Sequence, residues 1–129
     1  MFRKRTKTSV PDGIGRAFAV ATGLVAEAQR TLLDAIPTSR HPGVPLQEAL
    51  VTFISALEAA GRAMPAWHDE TTRHEWTMCS EGIADARAQA HDLQRRNADL
   101  TFEQLNTVIG DVLYPLEVFA DAERDLRRR

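Results

Sequence analysis

Several things are scarce or missing in this chain, and each absence closes off a class of protein. A single cysteine, Cys79, excludes an internal disulfide framework. Long apolar runs are missing as well. The stretch from Ile14 to Ala28 is amphipathic and is closed by Glu27, Gln29 and Arg30. Nothing approaches the roughly 18 uninterrupted apolar residues that a membrane-spanning helix requires. No secretory leader is read at the basic N-terminus, so the expected location is the cytoplasm. Strand signals are also absent, with no sustained period-2 alternation and no Asn-Gly or Asp-Gly hairpin turn.

Catalytic signatures are equally sparse. There is no Gly-x-Ser-x-Gly elbow, no His-Glu-x-x-His and no Glu-x-x-His of the kind that carboxylate-bridged di-metal bundles repeat. Gly13-Ile14-Gly15 lacks the preceding strand and the following Lys-Ser/Thr of a phosphate loop. Cys79 sits on an apolar stripe with Glu75 one turn before it, a setting that opposes thiolate formation. No catalytic residue and no cofactor are expected.

What is present is a helical pattern. The 129 residues, 43% apolar and 26% charged, suffice for one domain with a substantial core. Residues 1–8 are expected to be a basic flexible tail and 9–129 a single helical domain. Four stripes follow the alternating four- and three-residue steps of an amphipathic helix. The first is Ile14, Phe18, Ala21, Val25, Ala28, Leu32 and Ala35, with Ser9 as a candidate cap and Pro37 as the stop. The second is Leu46, Leu50, Phe53, Leu57, Ala60 and Met64, opened by Pro45. Matched helix lengths favour its continuing past Pro65 towards Trp67.

The third stripe is Trp76, Cys79, Ile83, Ala86, Ala90 and Leu93, ending near Asn97. It starts at Asp69 or at Thr72, where Thr72 and Glu75 have capping-box spacing. The fourth is Phe102, Leu105, Ile109, Val112, Leu116 and Phe119, opened by a Thr101/Gln104 capping box and bent at Pro115. Seven-residue repeats joined by short loops predict an all-α fold, an antiparallel up-down-up-down four-helix bundle.

Three functional readings follow. The first is a non-enzymatic protein-interaction module acting as a homodimer. Its motive is apolar surface beyond the main stripes, at Val51 and Ile54 on the second helix and Tyr114 and Val118 on the fourth. The second is a ligand- or metal-binding bundle using His68, Glu70, His74 and Glu75, residue types that ligate zinc or iron when spaced by one helical turn. The third is electrostatic binding of nucleic acid through the termini. Arg3, Lys4, Arg5 and Lys7 stand at one end and Arg127, Arg128 and Arg129 at the other. With a total of −2, those basic ends leave the body between them at about −9, which disfavours nucleic-acid binding by the body itself.

Overall fold

The computed structural model describes residues 9–97 and 99–129. The expected basic tail, with Arg3, Lys4, Arg5 and Lys7, lies outside the described residues. The fold is an all-α bundle. Helix α1 spans Asp12–Leu33, α2 Leu46–Arg62, α3 Arg73–Arg96, α4 Phe102–Leu113 and α5 Val118–Arg127. Among the described residues there is no strand, only an isolated bridge between Thr38 and His41 in the α1–α2 loop. No helix among them is long and apolar enough to cross a membrane.

The pairing of the helices can be read from a few contacts. Phe18, early in α1, packs edge-on against Trp67 after the end of α2, with ring centroids 4.8 Å apart. Gly43, just before α2, lies against the Ala35 carbonyl just after α1. Helices α1 and α2 are therefore antiparallel. Glu58 meets Arg87 at 3.2 Å, and the Trp76 indole N–H donates to the Met64 carbonyl at 2.8 Å, which sets α3 antiparallel to α2. Gly82 touches Pro115, and Glu75 meets Arg129, so the α4–α5 rod runs back along α3. The stacked pair Phe18 and Phe119, 6.5 Å apart, closes the ring between α1 and α5.

The four stripes point inward except for Phe102, which opens the fourth and is 57% exposed; the buried side chains form one cluster with Trp67, Phe53, Leu32, Leu50 and Leu57 fully enclosed. That burial holds the helices together, since isolated segments of this length are marginal in water.

The element ends show where local chemistry prevails and where it is overruled. The Thr101 capping box forms: its hydroxyl accepts from the Gln104 N–H at 3.1 Å, and the Gln104 side chain accepts from the Thr101 N–H at 2.9 Å. Asn97 ends α3 in the left-handed region, at φ 43°. The α1 start departs from expectation, because Pro11 rather than Ser9 occupies the cap position and no side chain caps it. Helix α1 also stops at Leu33, before the breaker Pro37, and its last carbonyls are used by single turns at Ala35 and Ile36.

Two prolines change the helical pitch rather than simply ending a helix. Helix α2 does not run on as α-helix past Pro65. It ends at Arg62 and continues as a 3-10 turn over Met64–Trp67, which still delivers Met64 and Trp67 to the core. The bend expected at Pro115 is likewise a 3-10 turn, Tyr114–Glu117, joining α4 to α5. Proline lacks the N–H of a regular helical bond, and three residues per turn instead of 3.6 rotates every later side chain.

Candidate functional site

The histidine and carboxylate candidates lie at the Trp67 end of the bundle, where the chain passes from α2 into α3. Asp69 caps a second 3-10 turn, Glu70–Thr72, accepting from the Thr71 N–H at 3.0 Å and from its hydroxyl at 2.5 Å. Those two bonds, the hydroxyl's first, hold the Asp69 carboxyl below its ordinary pKa. The Thr72 hydroxyl is buried and donates to the Trp67 carbonyl at 2.7 Å, and it accepts no bond from the first turn of α3. The expected Thr72/Glu75 capping box is not made.

Glu75 instead turns into the protein, where it is 4% exposed and meets the Arg129 guanidinium at 2.8 Å. A second guanidinium nitrogen of Arg129 donates to the Thr71 carbonyl. This clamp ties the end of α5 to the start of α3. The other Glu75 carboxylate oxygen is buried with no hydrogen-bond partner among the described residues.

The four candidate ligands are not brought together. His68 is exposed, with its ring 4.4 Å from Trp76. Glu70 and His74 are exposed, and His74 borders a cleft of about 310 Å³ that also contains Asp121 and Asp125. Glu75 already has its cation. Among the described residues, no three His, Cys, Asp or Glu side chains are grouped so that they could hold a metal ion. Cys79 is fully buried beneath Val118, and its thiol is pushed up to about 12 by burial, with Glu75 and Asp121 adding to the effect.

The basic C-terminal residues are likewise engaged. Arg129 is in the clamp, and Arg127 pairs with Glu123 at 2.6 Å. Arg128 is exposed. Of the described residues expected to form a basic patch, two therefore have carboxylate partners within the same rod or its neighbour.

The expected second apolar face also divides. Val51 and Tyr114 are 58% and 70% exposed, but Ile54 is 8% exposed and belongs to the core. Val118 is half-buried and covers Gly82. Two causes account for this. Ile54 lies on the same arc as Leu50 and Leu57, and the 3-10 turn at Pro115 rotates Val118 inward while leaving Tyr114 outside. Ile54 and Val118 are thus corrected from surface to interior.

A large apolar opening lies elsewhere, along the seam between α1 and α5. It is a groove of about 490 Å³ lined by Gly15, Phe18, Ala19, Thr22, Ala26 and Leu126, with Glu123 and Arg127 on its rim. The Thr22 hydroxyl beside it is buried without a partner among the described residues. Sequence reasoning missed this groove because it took the core stripe of α1 as the whole message of that helix. The available signal was the run of small residues on its other side. Comparison with protein-family models, curated proteins and solved structures found no match to this chain.

Proposed function

We propose that this chain is a non-enzymatic protein-interaction module that acts in the cytoplasm as a homodimer. The observation that carries this reading is the open groove between α1 and α5. Apolar walls with a polar rim on a small helical bundle suit a surface made to be covered by another helix. Val20 and Leu33 on the same helix are exposed as well, outside the groove. The buried Glu75, by contrast, already has its cation, and the neighbouring histidines diverge from it, which supplies no comparable argument for a metal or a reaction.

Sedimentation equilibrium over the micromolar range is the direct test. The expected result is a concentration-dependent mass approaching twice 14.4 kDa. A mass that stays at the monomer value throughout that range would refute the homodimer.

A further inference from the structure

Helix α1 carries two seven-residue repeats, and the core uses only one of them. The buried repeat runs Phe18, Ala21, Val25, Ala28, Leu32 and, just past the helix end, Ala35, with half-buried Ile14 ahead of it. Two positions earlier at every step stands a second set: Asp12, Arg16, Ala19, Gly23, Ala26, Arg30 and Leu33. A shift of two residues is about 200° of helical rotation, so this set points away from the core. All seven are exposed, and among the described residues nothing covers them. Ala19, Gly23 and Ala26 also line the α1–α5 groove, so face and groove are one continuous surface.

The charges on this face are arranged as if to meet themselves. Read from one end they run Asp12, Arg16, then three small residues, then Glu27 and Arg30, the last two an exposed ion pair within the helix that a second copy would share. A parallel copy of α1 would set each charge against its like. An antiparallel copy, related by a two-fold axis near position 21, sets Asp12 opposite Arg30 of the second chain and Arg16 beside its Glu27. The same axis places Ala19 opposite Gly23, which keeps the a-to-d alternation of an antiparallel helix pair throughout. The absence of a large side chain in the middle lets the two axes approach to the short end of the usual 8–10 Å range.

Gly23 keeps the middle of this face flat. A glycine inside an exposed helix costs roughly 1 kcal/mol relative to alanine. A Cβ added at Gly23 would meet nothing within 4 Å, so packing inside the chain does not require glycine there. Gly82, where a Cβ would lie 2.5 Å from the Pro115 carbonyl oxygen, shows what an internal requirement looks like.

We infer that two copies of this chain pair through the outward face of α1, antiparallel about a two-fold axis near residue 21, with Asp12·Arg30 and Arg16·Glu27 pairs across the interface. This inference rests on the homodimer reading and specifies its surface.

The test combines sedimentation of the full chain with a charge-reversal cycle, with far-UV circular dichroism to confirm that each variant is folded. Wild-type protein is expected to dimerise, and Gly23→Glu to stay folded and be monomeric. Arg16→Glu should raise Kd about tenfold, because it replaces two attractive pairs with two repulsive ones. Adding Glu27→Arg should return Kd to near the wild-type value. A dimer indifferent to Gly23→Glu would overturn the α1 surface while leaving the homodimer standing. Loss on Arg16→Glu without rescue by Glu27→Arg would overturn the antiparallel register. A wild-type chain that remains monomeric would overturn both the surface and the homodimer.

Discussion

Helix α5 has two neighbours, and it packs against them in opposite ways. On the α3 side the seam is closed. Gly82 lies directly under the Pro115 carbonyl and Val118, Cys79 is sealed beneath Val118, and Arg129 clamps Glu75. On the α1 side, beyond the Phe18–Phe119 contact, the seam opens into a groove of about 490 Å³. The difference shows which surface is finished within one chain. A glycine at the closed seam is required by a neighbour inside the molecule, whereas the glycines beside the open seam meet open space.

The largest effect that would break this contrast concerns the clamp. Glu75 and Arg129 side chains are 5% and 11% exposed, so removing one leaves the other charged and poorly solvated. Arg129→Ala is expected to cost about 3–5 kcal/mol in urea unfolding. Replacing both, as Glu75→Leu with Arg129→Met, should recover most of that loss, because an apolar pair of similar volume avoids the desolvation penalty. A loss below about 0.5 kcal/mol for Arg129→Ala would mean that the pair is screened like a surface ion pair, and the seam would not be closed at that end.

Next in size is Gly82→Ala. Alanine improves helix propensity by roughly 1 kcal/mol, but its Cβ would fall 2.5 Å from the Pro115 carbonyl oxygen and 2.9 Å from a Val118 methyl. Backbone on the opposing side cannot rotate away, so a net loss of about 1–3 kcal/mol is expected. A stabilised Gly82→Ala variant would show that α5 can lift off α3 without penalty.

Most of the helical content was readable from the residues because each stripe is a local pattern, and all four face the core apart from Phe102 at the start of the fourth. The Thr101/Gln104 cap and the Asn97 stop were readable for the same reason, since donor and acceptor lie within one turn. Contacts across long sequence distance were not. Nothing near Glu75 announces that its partner is Arg129, fifty-four residues on, and that pairing is what removes Glu75 from both the capping box and the metal candidates. Ile54 and Val118 were misplaced through phase. A periodicity read at 3.6 residues per turn cannot anticipate the local tightening at Pro115 that turns Val118 inward. The outward face of α1 was legible in its spacing. It went unread because a helix was assumed to carry one repeat.

A smaller effect sharpens the closed side through pH. The Cys79 thiol is raised from an ordinary value of 9.0 to about 12, chiefly by burial. The folded chain therefore keeps its proton where the unfolded chain loses it. This contribution is complete below pH 9 and is lost as pH rises from 9 towards 12, at about 1.4 kcal/mol per pH unit. Cys79→Ala should lower stability at neutral pH by leaving a small cavity, yet show a shallower alkaline decline than wild type. Exposed Tyr114 is common to both chains and cancels in the difference. Equal slopes between pH 9 and 11 would mean that solvent reaches the thiol and that Val118 does not seal it.

The smallest effect is Gly23→Ala, and its sign makes it informative. At the open seam an added methyl meets no atom within 4 Å, and the backbone is ordinary α-helix, so only the propensity difference and the lost freedom of the unfolded chain remain. Unfolding measured at high dilution, where any dimer is dissociated, should show a gain of about 0.4–1 kcal/mol. That is the reverse of the same substitution at Gly82. Gly110, also exposed on a helix and also facing open space, is the control and should gain by a similar amount. If Gly110→Ala gains and Gly23→Ala loses even at dilution, something within the chain already lies over α1. The groove would then be occupied from inside, and the contrast between the two sides of α5 would collapse. If both gain, packing within the single chain requires neither glycine, and the α1 side of α5 is open where the α3 side is closed.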